Sequence, residues 1–466
     1  MICFSWRTLA ACVLVLPLLM TLYGPGLPPV TADDAQPAAA DAVIIQTARV
    51  SVASGGAQSA YETNGEPALS QDGRYVAFDS LASDLVAGDT NDDYDVFVHD
   101  RQTGATERVS LAEDGDEGYR TSWAPAISAD GRYVAFTSNA GLVGGLYSDG
   151  WHVYVRDRQT DQTTRATVSS DGTVGNGGSI DQPAISADGR FVAYASESTN
   201  LVAGDTNNSA DIFVHDRQTG ETTRVSVASG GAQSDGYSAS PALSADGRYV
   251  AFSSTAGDLT AGDTNFAPDI YRHDRQTGET ILISRRLPGV GGMQGAFIPA
   301  ISADGSKVAF MSYDNDLVPG DDSDADIFLV DVADGAPVLV SVNTAGEKGN
   351  GDSPRLALSA DGRYVAFDSG AGNLTPDDTN QTYDVFVRDV VVGQTWRASV
   401  AGDGQQGNAG SSTPGISPDG RVVGFVSGAS NLVADDTNDE EDIFAGYSLS
   451  VAAQWFLPVV WAGESQ

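Results

Sequence analysis

The stretch Pro67-Ala68-Leu69-Ser70-Gln71-Asp72-Gly73-Arg74-Tyr75-Val76-Ala77-Phe78 decides the fold. At its centre is a Ser-x-Asp-Gly tetrad, which returns at Ser128, Ser186, Ser244, Ser302, Ser359 and Ser417. Consecutive copies lie 58 residues apart, except for one interval of 57 between Ser302 and Ser359. Composition bias gives no such spacing, whereas one supersecondary unit copied seven times does. Asp72-Gly73 reads as a tight turn, because glycine takes positive φ without steric penalty. It joins two strand-like runs, residues 67–70 and 75–78.

Beyond these comes a long loop, residues 80–94. A third run follows at 96–99, then a turn at Gln102-Thr103-Gly104 and a fourth run at 106–111. No stretch has helical periodicity. Four short strands per unit fit either a sandwich or a propeller blade. A sandwich sheet keeps one polar face. Tyr75-Val76-Ala77-Phe78 and Val96-Phe97-Val98 are apolar on both faces, which suits a sheet pressed between two neighbours. The sequence therefore predicts an all-β chain: a single seven-bladed β-propeller with four antiparallel strands per blade. The seventh unit stops after its third strand, at Ile443-Phe444-Ala445-Gly446-Tyr447. Residues 49–59, RVSVASGGAQS, repeat residues 224–234, the fourth strand of blade 3 and its exit loop. Residues 47–52 are thus expected to complete the last blade, closing the ring and removing an exposed edge.

The repeat Pro-Ala-Leu/Ile-Ser-x-Asp-Gly-Arg-x-Val-Ala-Phe resembles the WD-like β-propeller repeat of TolB-type proteins over about residues 43–448. The resemblance implies the fold. It does not single out a function, since such propellers act as docking platforms, as gates on proteases, or alone. The chain is not expected to be TolB itself. No amino-terminal α/β domain is read ahead of the repeats, and seven repeats exceed TolB's six blades.

Residues 1–32 read as an export signal. Arg7 is their only charge, an apolar run spans 9–22, and Val30-Thr31-Ala32 offers a small-residue cleavage site. An uncleaved amino-terminal anchor and a lipoprotein box at Leu9-Ala10-Ala11-Cys12 are the alternatives. Both cysteines, Cys3 and Cys12, lie in this segment, so the exported chain would have no thiol chemistry. Residues 33–42 read as a flexible spacer. Residues 449–466 read as an apolar tail packing on the propeller, with a sorting or anchoring tail as the alternative. The expected location is secreted, periplasmic or on the cell surface. A net charge of −38 repels nucleic acid and anionic lipid and attracts cations. No nucleic-acid partner is expected, membrane contact only through an uncleaved signal, and the protein is expected to be a monomer.

In each unit the first-to-second and third-to-fourth turns are short. The loops between the second and third strands, and from the fourth strand to the next unit, are long and share one face. Long loops on a rigid scaffold are where binding concentrates, so function is assigned there. The loop between second and third strands repeats Asp-x-Asn-x-x-x-Asp: Asp89/Asn91/Asp95, Asp205/Asn207/Asp211, Asp263/Asn265/Asp269, Asp378/Asn380/Asp384 and Asp436/Asn438/Asp442. Blade 5 has a shorter version, Asp321/Ser323/Asp326, and blade 2 has lost it to Leu146, Ser148 and His152. Clustered oxygen ligands suit a hard cation such as Ca²⁺. The same residues equally form Asx turns on their own backbone.

Catalytic motifs are missing: there is no G-x-S-x-G elbow, no H-E-x-x-H and no phosphate loop. His99, His215 and His273 share one repeat position with Arg156 and Arg388, and are read as surface residues. The tetrad resembles the sialidase Asp-box but is shorter and lacks its Trp, so it is read as structural. Symmetry breaks at residues 141–151 and 285–297. The expected function is a non-catalytic exported propeller that binds protein or polysaccharide through its long-loop face, with Ca²⁺ as the candidate ion that stiffens it. The alternatives are a glycosidase or lyase with its site in the central channel, and a structural surface or adhesion component.

Overall fold

The structure, a computed structural model, describes residues 47–447 apart from 64, 145–149, 180, 264, 266, 288–293 and 321. The signal, spacer and tail therefore lie outside the described residues, as do Leu146, Ser148 and Asp321. The described residues contain no helix. Their twenty-eight strands, numbered in chain order, form seven antiparallel sheets of four.

Blade 1 shows the unit. From the central channel outward it consists of strand a, β2 (Ala68–Leu69), strand b, β3 (Tyr75–Ser80), strand c, β4 (Asp95–Asp100) and strand d, β5 (Ala105–Arg108). Phe78 faces Phe97 across the b–c pair, and their rings stack 5.8 Å apart. An aromatic pair stands at this place in every blade, ending with Phe425 and Phe444 in blade 7. Strands b and c are buried almost end to end. The apolar core lies between blades: Ala77, Val96 and Val98 of blade 1 pack with Val134, Phe136 and Tyr154 of blade 2. Burial on both faces is what the unbroken apolar runs required.

The ring closes as the repeated undecapeptide predicts. Strand β1 (Ala48–Arg49) pairs with β28 (Asp442–Tyr447), with Ala48 opposite Ala445 and Arg49 opposite Phe444. It thereby adds strand d to the sheet of β26 (Ser411–Ile416) and β27 (Val422–Ser427).

The tetrad builds the opposite, tight-turn face. Ser70 Oγ accepts from the Tyr75 amide at 2.9 Å, and Asp72 accepts from the Arg74 amide at 3.0 Å. The tetrad glycine answers two demands. Gly131 has φ +73, and a Cβ there would lie 2.2 Å from the Tyr75 ring of the preceding blade. The residue after each tetrad serine passes a backbone hydrogen bond to the next blade. The bonds run from Gln71 to Ala129, Ala187, Ala245, Ala303, Ala360 and Pro418. Pro418 has no N–H to continue the circle. The Asp419 amide completes it instead, donating to the Gln71 carbonyl at 3.1 Å.

Candidate functional site

The Asp-x-Asn-x-x-x-Asp loops lie on the long-loop face, and each is a closed hydrogen-bonded unit. The asparagine oxygen accepts from the amide two residues on, as in Asn91 with Asp93 at 3.0 Å, Asn207 with Ser209 at 3.1 Å, and likewise at Asn265, Asn380 and Asn438. This is the Asx turn. The last Asp accepts from a buried serine two residues past strand d, as in Asp269 with Ser284 at 2.6 Å. The same bond recurs at Asp95, Asp211, Asp326, Asp384 and Asp442.

A basic side chain enters each cluster. Arg108 lies 3.1 Å from both Asp89 and Asp95, and Arg224 lies 3.5 Å from Asp205 and 3.3 Å from Asp211. Arg397 joins Asp378 and Asp384, and Arg49 joins Asp436 and Asp442. These four arginines occupy one strand-d position. Blades 4 and 5 have Leu282 and Leu339 on that strand, and a basic residue reaches in from further along the chain. Arg286 meets Asp269 at 3.5 Å, and Lys348 meets Asp326 at 2.9 Å. Asp263 instead accepts from the Tyr271 hydroxyl at 2.6 Å. A glutamine amide bridges the Asp pair in blades 3, 6 and 7, through Gln233, Gln406 and Gln58. Blade 1 has Glu117 there. Asp89, Asp95 and Glu117 bring carboxyl oxygens within 4.8 Å of one another, the one such group among the described residues. Burial, with Asp95 beside it, pushes the Asp89 carboxyl up to about 6.

The histidines correct a reading made from the sequence. His99, His215 and His273 are buried and not on the surface. Each Nδ1 lies 2.9 Å from a strand-d threonine, Thr106, Thr222 or Thr280. That threonine donates its one proton to a carbonyl of the preceding blade's exit loop, such as Val52 or Val227. The ring nitrogen must therefore be the donor to the threonine oxygen. Arginine supplies a donor equally well: Arg388 reaches Thr395 at 2.8 Å. This explains why His and Arg interchange between repeats.

The central channel was missed by sequence reasoning as a site with residues of its own. It is a cavity of about 810 Å³ lined by strand a of the blades. The position four residues before each tetrad serine faces it, and this one column holds seven different residues: Glu66, Ala124, Gln182, Ser240, Ile298, Arg355 and Thr413. The neighbouring Ala68, Ala126, Ala184, Ala242, Ala300 and Ala357 barely vary. Comparing repeat columns at this position would have found the site.

Four members of the column, Ala124, Ser240, Ile298 and Thr413, take φ between 50° and 52° immediately before a proline. Left-handed backbone is costly for non-glycine residues, and more so before proline. Three of the freed amides are held by a carboxylate of the preceding blade. Ala124 donates to Asp79 at 3.1 Å, Ser240 to Asp181 at 2.8 Å and Thr413 to Asp368 at 3.2 Å. Burial pushes Asp79 up to about 7 and Asp368 up to about 6. Glu66 is raised by its enclosure in the channel, Arg355 partly offsets this, and Asp181 adds to it. Glu66 keeps 53% of its side chain accessible to channel water, which moderates the effect relative to the buried Asp79. Its Oε1 is 4.0 Å from Arg355 Nε. Tyr94, Trp123 and Trp151 complete the long-loop end, the two indoles meeting edge to face at 5.9 Å.

A seven-bladed β-propeller with a graded, symmetry-broken channel is thus the class of protein defined by fold and site. No family model matches the chain, and no curated protein matches it in sequence. Solved structures do. Oligogalacturonate lyase from Vibrio parahaemolyticus is 13% identical with a TM-score of 0.52, over 87% of this chain and 97% of that one. The propeller domain of the Trilobed protease from Pyrococcus furiosus is 11% identical with a TM-score of 0.51, over 84% and 94%. TolB from Acinetobacter baumannii is 16% identical with a TM-score of 0.38, over 65% of this chain and 58% of TolB's length. At such identities the likeness defines the fold alone. A fold by itself does not decide between catalysis and binding.

Proposed function

We propose that this chain is an exported binding propeller that takes a single saccharide chain into its central channel from the long-loop face. The observation that carries the reading is the strand-a column: seven equivalent positions hold seven different residues where the framework around them repeats. A scaffold needs no such diversity; an asymmetric ligand in a pseudo-symmetric ring does. Apolar walls with a few convergent polar groups are the usual make-up of a ligand site. Indoles beside carboxyl, amide and guanidinium groups suit the flat faces and hydroxyls of sugars.

The test is a glycan panel against purified protein, with product analysis. Binding without turnover is expected, and Trp123→Ala should weaken it by about tenfold, the scale of losing one aromatic contact of roughly 1.4 kcal/mol. Failure of every glycan to bind would sink the reading. A second reading, a lyase or glycosidase, is favoured by Asp79, a carboxyl pushed up to about 7 and so matched to proton transfer near neutrality. Released sugar would decide for it. We further propose that blade 1 is the loop that takes Ca²⁺, because Glu117 joins Asp89 and Asp95 there and the three acids outnumber Arg108.

A further inference from the structure

The ionisable groups lining the channel are Glu66, Asp79, Asp181 and Arg355; with Asp79 pushed up to about 7, the charge rests on Glu66 and Asp181 against Arg355, two acids against one base. The acids come from blades 1 and 3, flanking the blade that supplies Trp123 and Trp151, and the base comes from blade 6. Two of the acids are fixed in place. Asp79 Oδ1 holds the Ala124 amide, and Asp181 Oδ2 holds the Ser240 amide. Arg355 is a weak counter-charge for Glu66, at 4.0 Å with both side chains about half accessible. A separate observation points to an occupant. Thr413 is 5% exposed and lines the same cavity, yet its hydroxyl has no hydrogen-bond partner. Buried polar atoms are seldom left so without a reason such as a missing ligand.

The excess negative charge discriminates among saccharides. A uronate chain would be repelled. A neutral chain could donate hydroxyls to the carboxyls but would leave their charge unbalanced as water is displaced. An ammonium group would compensate them and also find the aromatic faces favourable.

Resting on the channel reading above, we propose that the ligand is an amine-bearing saccharide of the glucosamine type, its ammonium drawn to Glu66 and Asp181. Thr413 Oγ1 is the hydroxyl that completes its hydrogen bonds.

The experiment is calorimetric titration of the full chain at near-neutral pH, because burial raises the channel carboxyls. The probes are a β-1,4-glucosamine oligomer, its N-acetylated counterpart, a cello-oligosaccharide and an oligogalacturonate. The glucosamine oligomer should bind about tenfold more tightly than the N-acetylated one, the size of one partly enclosed charge contact. The preference should shrink as salt is raised. Glu66→Gln and Asp181→Asn, which keep shape and remove charge, should erase most of the preference while leaving the melting temperature near that of the parent. Equal binding of neutral and amine-bearing chains, with no effect of either variant, would overturn the charge inference and leave the channel reading standing. Binding of a lysine-rich peptide in place of every sugar would overturn both.

Discussion

Arg224 and its counterparts are where the loop motif takes its meaning. Asp205 and Asp211 are 3% and 0% exposed, and an unpaired buried charge costs several kcal/mol. The guanidinium stands between the two acids and leaves one net negative charge; in blade 1 Arg108 meets three acids, Glu117 at 2.6 Å among them, and leaves two. Blade 1 differs by one acid, and that difference yields a prediction. Excess chelator should lower the melting temperature of the parent, Ca²⁺ should restore it, and Glu117→Gln, which installs the residue of blades 3, 6 and 7, should abolish the response. An unresponsive parent would rule the ion out. A second prediction concerns pH. Burial raises Asp79 to about 7, and Asp89, Asp269 and Asp368 to about 6. The folded state thus binds these protons more tightly than the unfolded chain does, so their contribution is full below about pH 4 and is lost as pH rises through 6 to 7. The buried histidines act in the opposite sense. His152 and His273 are lowered to about 4, and the unfolded chain takes up their protons first, so they cost stability below about pH 6.5. Arg-paired carboxyls such as Asp157, held down to about 2, also cost stability in stronger acid. Raised acids outnumber the histidines. Melting temperature should therefore peak in mildly acidic buffer; a maximum at pH 8 would contradict this.

At the scale of elements, closure rests on a few residues. Val50 is 1% exposed in a cluster with Val422, Val426 and Ile443. Ser51 Oγ donates to Asp442 at 2.6 Å and accepts from the Ile443 amide at 3.0 Å. Val50→Asp should detach β1, expose the edge of β28 and lower the melting temperature by at least several degrees, with association visible by light scattering. An unchanged monomer would mean that β1 adds little. Threonine latches join strand d to the preceding exit loop at six junctions, through Thr47, Thr106, Thr163, Thr222, Thr280 and Thr395. Blade 5 has Pro337 at that place, opposite Val330 where blades 1 to 4 and 6 have His or Arg, and its strand d is the short Pro337–Leu339 with Val338 60% exposed. Proline removes a ladder donor and no hydroxyl latch replaces it. Hydrogen exchange should be fastest, among the outer strands, at Pro337–Leu339 and its partner residues 328–330. Uniform protection of all outer strands would refute this seam.

At the scale of the whole molecule, two mouths of one channel are built on different rules. The tight-turn mouth is a circle of backbone bonds that tolerates little variation. The long-loop mouth is strained backbone, pinned carboxyls and seven dissimilar side chains. What was legible in the sequence was the periodic part. The tetrad spacing set the blade count, the two-faced apolar runs set the packing between blades, and the repeated undecapeptide set the closure, because each rests on local geometry that recurs unchanged. The Asx turns were legible too, as one of two readings of the same loop. Tertiary structure alone decided which side chains meet. It put Arg224 into its acid pair, turned His99 inward to a threonine, and brought Glu66, Asp181, Arg355 and Thr413 around one cavity. The first two contacts lie within one blade, Arg224 with Asp211 being 13 positions apart and His99 with Thr106 being 7, and the cavity gathers residues of four blades. No local periodicity encodes them; strand pairing within a blade makes the first two, and bending seven like sheets into a ring makes the third.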